Sequence, residues 1–230
     1  MTVSSYYARG RLFPTILTIV PLLIFVNVIV SILYSDNLKE IFKVLPIITN
    51  LGLSAALLFL MVQINRLISK EIFQRFYFQD EINMPTTNHL LWSDKFFDNS
   101  VKEIIRSKIQ TKYGINLMSE IEEIAEELKS RKQITTAVSQ IRNSLRDSKL
   151  LLQHNIEYGF FRNLLGGCII AVLFSIIIPI YGVAKPEYSL KITGIILTII
   201  YCIPILFSRP IIKRFGYYYS KILYEQFLSI

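Results

Sequence analysis

The sequence predicts an all-α integral membrane protein, with four transmembrane helices in two hairpins and a cytoplasmic helical domain inserted between helices 2 and 3. Three observations carry this expectation. Of the 230 residues, 52% are hydrophobic and the mean hydropathy is +0.44, which is more apolar surface than a soluble domain of this size can bury. The apolar residues fall in four long runs, at 12–34, 44–64, 161–183 and 190–208, each close to the length that crosses a ~30 Å hydrocarbon core at ~1.5 Å per residue. Between the second and third runs the pattern becomes amphipathic and charged.

Taken in order, residues 1–64 hold a polar arm and the first hairpin. Arg9 and Arg11 precede a run without charge, and Pro21 within it predicts a kink. A signal peptide has a similar basic start, but its apolar region is about half as long and ends in small residues, so this helix is expected to be retained. Residues 35–43 are too few for a domain and join the first span to the second. Asn27 and Asn50 place an uncharged polar group in each of these two spans. In lipid each amide needs a partner, either as glue between helices or as the lining of a path.

Residues 65–160 are expected to form the cytoplasmic domain. The second span runs on from Arg66 as an amphipathic stalk and breaks at Met84-Pro85, where Thr86 or Thr87 is placed to cap a short helix. Ser100 and Glu103 have capping-box spacing, Ile104, Ile105 and Ile109 mark an apolar face, and Gly114 marks a stop. A second box at Ser119 and Glu122 opens a helix with Ile121, Ile124, Ala125 and Leu128 on one side. Its run of Glu120, Glu122, Glu123, Glu126 and Glu127 is expected to be a solvated face. Ile134, Val138, Ile141 and Leu145 recur at helical spacing and predict a third helix.

Residues 161–208 form the second hairpin, kinked at Pro179 and Pro204. Residues 209–230 are basic and aromatic, which predicts a helix lying at the headgroup level. Of 25 Lys and Arg, 21 lie in the termini and the middle region, and Arg66, Lys70, Arg162, Arg209, Lys213 and Arg214 hug the spans. Both termini and the middle domain are therefore placed in the cytoplasm, across a bacterial inner (plasma) membrane. The middle region balances 15 basic residues with 13 acidic ones, so the net charge of +8 is juxtamembrane and argues against nucleic acid as a partner.

The chain lacks a phosphate-binding glycine loop, a dinucleotide fingerprint, a zinc-protease helix motif and a nucleophile elbow. His89 and His154 have no cysteine nearby, and Cys168 and Cys202 lie in apolar runs. No catalytic residue, cofactor or metal site is therefore assigned, and the expectation is a protein that is not an enzyme. His154 and Glu157 share a helical face without a nucleophile, which suits a hydrogen-bonded pair. The most conspicuous stretch is the entry to the third span, with Asn155, Glu157, Tyr158, Gly159, Arg162 and Asn163. One account is an anchor in which Gly159 breaks the helix, Tyr158 sits at the interface and Arg162 snorkels to phosphate. The other is a polar network with two arrangements that couples domain to span.

The segments Pro85-Thr-Thr with Leu90-Leu and Asp94, Tyr113-Gly-Ile, and Asn155-Ile-Glu-Tyr-Gly-Phe-Phe-Arg-Asn-Leu-Leu-Gly166 resemble those of a group of bacterial four-span membrane proteins without an assigned activity. The layout of two hairpins around a cytoplasmic helical domain is similar to that of membrane effectors of anti-phage systems. That similarity implies a membrane-perturbing or pore-forming effector in bacterial defence, forming a homo-oligomer in the lipid bilayer and sensing a cytoplasmic protein or a nucleotide ligand. The alternatives are a non-conducting scaffold that recruits a cytoplasmic partner, and a small transporter.

Overall fold

The computed structural model describes the backbone of residues 3–33, 46–79, 81–184 and 188–230, and the side chains of 5–28, 55–79, 81–180 and 188–230. It is all-helical, with 85% of residues in helices and no strand among the described residues. In chain order the helices are α1 (Val3–Tyr7), α2 (Phe13–Thr18), α3 (Val20–Leu33), α4 (Pro46–Ile68), α5 (Phe76–Phe78) and α6 (Pro85–Asn88). They continue with α7 (Asn99–Tyr113), α8 (Glu120–Ala125), α9 (Glu127–Ser144), α10 (Lys149–Ala184), α11 (Tyr188–Leu206) and α12 (Ser208–Ser229). Two π-helical segments, Ala8–Leu12 and Ser69–Arg75, interrupt the run into α2 and the run out of α4. The expected connections at 35–43 and around 185–187 lie outside the described residues.

The chain divides into two units. The first comprises Met1–Tyr6, Glu71–Gly159 and Arg209–Ile230. Its core is built by Leu90, Leu91, Ile105, Ile109, Ile134, Val138 and Ile141, all 2% exposed or less, together with Leu223, Tyr224 and Phe227 of α12. The helix expected at 134–145 is thus present and buries its predicted face. The tail at 209–230, expected as a helix at the headgroup level, is helical as α12 and packs one side into this core. Its positions 219, 223, 224 and 227 belong to this core, because a small helical domain has little apolar surface of its own to bury and gains from an amphipathic helix joined to it.

Helix ends follow local chemistry in some places and not in others. The capping box at Ser119 forms: its hydroxyl accepts from the Glu122 N–H and its own N–H donates to the Glu122 carboxylate at 2.8 Å. Gly114 ends α7 with φ of 68°, its N–H donating to the Gln110 carbonyl. The box expected at Ser100 is not used, since α7 starts two residues earlier with Asp98 at its N-cap. Thr86 and Thr87 do not cap either. Pro85 sets the first turn of α6 behind Met84, and the Thr87 hydroxyl donates back to the Glu81 carbonyl at 2.7 Å.

The second unit comprises Tyr7–Lys70 and Phe160–Ser208. Among the described residues two helical stretches, Lys149–Ile180 and Tyr188–Leu206, are long and apolar enough to cross a membrane, and Ser5–Thr18 with Val20–Val28 makes a third if this pair, bent by 43°, counts as one span. The outer surface of this unit is apolar: Ile192, Ile195, Ile196, Ile199, Ile200 and Ile203 of α11 are all exposed. A surface of this kind is matched by lipid tails rather than by water.

Candidate functional site

The bend between α2 and α3 begins with Pro21. A proline has no N–H to give the carbonyl four residues back and crowds it as well, so the Leu17 carbonyl loses its helical donor. The Tyr201 hydroxyl of α11 takes that place, donating to the Leu17 oxygen at 2.7 Å. Pro14 has the same effect on Gly10, where the chain is π-helical, and here the Asn163 amide of α10 donates to the Gly10 carbonyl at 2.6 Å. In both cases a backbone bond has been exchanged for a side-chain bond from another helix.

Asn163, 1% exposed, uses its other end as well. Its Oδ1 accepts from the Ser69 hydroxyl at 2.9 Å, and Ser69 opens the second π-helical segment. One amide thus ties together the two places where the α-helical ladder is broken. Beside it, the Asn65 amide donates to Thr15 Oγ1 at 3.1 Å and to Thr18 Oγ1 at 3.3 Å. Both hydroxyls pass their own protons to carbonyls one turn back, at Arg11 and Pro14. Asn65 is completely buried, yet its Oδ1 has no partner among the described residues, so this network is satisfied on its donor side and left open there on its acceptor side.

Glycines set the spacing. A Cβ on Gly166 would lie 2.5 Å from the Asn65 carbonyl oxygen, and one on Gly167 would lie 2.3 Å from Thr18 Oγ1 and 2.7 Å from Asn65 Nδ2. Only a bare backbone lets α10 approach this closely. On the far side of α10, Gly194 of α11 makes the same allowance for the Pro179 ring and the Ser175 carbonyl that this proline leaves without a helical donor.

Of the residues singled out in the sequence, Asn163 belongs to this node and Arg162, 9% exposed, lies buried next to it in the chain. Arg162 therefore does not snorkel outward as expected. Gly159 does not break the helix, because α10 is continuous through it; its role is to admit Tyr6, whose hydroxyl would be 3.1 Å from an added Cβ. Asn155 is half-buried, Tyr158 is buried, and Glu157 pairs locally with Gln153 and His154 in the first unit. Asn27 is exposed, and the side chain of Asn50 lies outside the described residues. Asn65, Thr15, Thr18 and Ser69 were missed by sequence reasoning. The signal for them was helical spacing between Asn65 and Ser69, which puts two polar groups on one face four residues apart.

The first unit holds a second polar constellation. On α7 the buried stripe is Lys102, Ile105, Arg106 and Ile109, while Ile104 is 58% exposed, so the expected apolar face is turned and two cations point inward. Arg106 donates to the Met118 and Leu90 carbonyls at 2.7 and 2.5 Å and meets the Glu123 carboxylate at 3.3 Å, its guanidinium lying 4.3 Å from the Trp92 ring centroid. Glu123 also accepts from the Trp92 N–H at 2.7 Å and the Ser130 hydroxyl at 2.9 Å. Lys102 donates to the Trp92 and Asp94 carbonyls. The acidic run is therefore not wholly solvated, since Glu123 is 3% exposed while Ile121 and Ile124 of the same helix face solvent.

His89 is fully buried in this unit, stacked on Phe96 with ring centroids 3.9 Å apart and bonded through Nδ1 to the Ser220 hydroxyl at 2.8 Å. Burial lowers its pKa to about 4, with Lys102 acting in the same direction and Asp94 opposing. The unfolded chain therefore binds the proton more tightly, and this contribution to stability is present above the ordinary histidine range and lost as pH falls toward 4. The expected loss is about 3 kcal/mol between pH 7 and pH 4. It is checked by comparing thermal midpoints at the two pH values with those of His89→Gln, in which the acid-dependent part of the shift should shrink.

Among the described residues, no group of three His, Cys, Asp or Glu is placed to hold a metal ion. Comparison with protein-family models, with curated proteins and with solved structures returned no match.

Proposed function

We propose that this chain is a four-span bacterial inner-membrane protein with both termini in the cytoplasm, acting as an oligomeric, membrane-perturbing or pore-forming effector whose cytoplasmic unit receives the signal. The observation that carries this reading is the node at Asn163. Two helices with broken ladders are held by side-chain bonds from a third, and side-chain bonds of this kind exchange between partners at little cost when the packing shifts. The open acceptor on Asn65 adds a second arrangement in which that oxygen gains a donor.

The helix that carries Asn163 also supports the reading. α10 is one helix from Lys149 to Ala184, and in this reading a shift of its amino-terminal part reaches Asn163, Gly166 and Gly167 along it. A defence role is the context in which such a device, closed at rest and damaging when released, has a use.

Induced expression in bacterial cells, with insertion confirmed by protease protection, should collapse the membrane potential recorded by a voltage-sensitive dye and arrest growth. An unchanged potential in cells with the protein fully inserted and induced overturns the proposal.

A further inference from the structure

Two exposed faces of the first unit are opposite in charge; on the acidic one Glu126 and Glu127 pair with Lys129 and Arg131 of α9, which leaves an acidic excess. On α8 and the start of α9, Ile121, Ile124 and Leu128 are 82%, 80% and 58% exposed, rimmed by exposed Glu120, Glu122, Glu126 and Glu127. This is an apolar stripe in an acidic frame, turned outward because Glu123 is held inside by Arg106. The second face is the outer side of α12. Arg209, Lys213 and Arg214 are exposed there, with Tyr217 and Tyr218 at 43% and 42% exposure beside them. The spacing of four sets Lys213 beside Tyr217 and Arg214 beside Tyr218 on the exposed part of the helix surface. None of the three cations has a carboxylate partner among the described residues; the Arg214 guanidinium donates to the Tyr218 hydroxyl.

We infer that these faces are the two halves of one contact between copies of this chain, the acidic apolar face of one copy seated on the basic aromatic face of the next. Tyrosine and arginine are the residues enriched at such contacts, and the exposed isoleucines supply apolar area that the tyrosine rings can cover. Like faces repel, so the acidic face of one copy meets the basic face of another, either reciprocally in a twofold dimer or head to tail in a ring. Anionic lipid would satisfy the α12 face alone and would repel the acidic one. The inference rests on the oligomeric reading proposed above.

The test measures the mass of the purified full-length chain in detergent by native mass spectrometry and light scattering over a concentration series. Glu120→Lys with Glu126→Lys should raise the concentration needed for assembly at least about tenfold, and so should Lys213→Glu with Arg214→Glu, or Ile121→Ser with Ile124→Ser. All of these positions are exposed, so the unit should stay folded. Combining the two charge reversals in one chain should restore assembly, as should mixing the two reversed proteins. The inference is overturned by a wild-type chain that remains monomeric, by assembly that ignores the reversals, or by a combined reversal that fails to restore it. Depolarisation measured on the same variants separates the two proposals. Assembly through these faces with an intact potential removes the effector reading alone, whereas depolarisation with mass unaffected by every variant removes the contact alone.

Discussion

Replacing Glu123 with alanine is expected to cost about 3–5 kcal/mol, the range found when one partner of a buried ion pair is removed. The carboxylate serves three groups at once: the Arg106 guanidinium, the Trp92 N–H and the Ser130 hydroxyl. Truncation strands all three in a site from which water is excluded, and Arg106 is held in place because its Nη1 donates to the Met118 carbonyl and its Nη2 to the Leu90 carbonyl. The thermal midpoint should fall on the order of 10 °C or more. Trp92 is the only tryptophan of the chain, so its emission follows loss of this site directly. Glu123→Gln should cost less, because the amide keeps an acceptor for the Trp92 N–H. A Glu123→Ala protein whose midpoint matches wild type would show that the pair is not what holds α8 against α7.

The same residue shows where the sequence was legible and where it was not. The helices of the first unit, the Gly114 stop, the Ser119 box and the 134–145 stripe all follow from local patterns, and local patterns survive folding because neighbours four residues apart meet whatever else happens. The phase of α8 does not follow from them. Its apolar positions 121 and 124 point outward because one buried carboxylate answers Arg106, a cation 17 residues away in the chain, and pairing of that kind leaves no periodic trace. The clue lay on α7, where Lys102 and Arg106 share the face of Ile105 and Ile109 and so required an anion from elsewhere. The core side of the tail at 209–230 was hidden for a related reason: a basic aromatic amphipathic helix suits a lipid surface and a protein core equally well, and nothing local marks Tyr219, Leu223, Tyr224 and Phe227 as core residues of the first unit. In the second unit the prolines were visible, but the side chains that answer them were not. Tyr201 and Asn163 are far from Pro21 and Pro14 in the chain, and nothing local marks them as donors.

The glycines of α10 give the sharpest separation between a conspicuous residue and a consequential one. Gly159 stands in the most distinctive part of the sequence, yet an alanine there meets only the far end of the Tyr6 side chain, at 3.1 Å. A tyrosine can yield by a few tenths of an ångström, so Gly159→Ala should cost under about 1 kcal/mol. Gly166→Ala is expected to be far worse. Its methyl would sit 2.5 Å from the Asn65 carbonyl oxygen and 2.9 Å from the Ser69 nitrogen, and both are backbone atoms that no rotamer change can move. The helices must part, and parting stretches the Asn163 bonds to Ser69 and Gly10 that depend on close approach. Overpacking and the lost bonds together should cost on the order of 4 kcal/mol. Thermal midpoints of the two variants in detergent, measured beside wild type, check the ordering. If Gly159→Ala proves the more damaging, the node is not where α10 is held, and the entry to the third span regains the role that its sequence suggests.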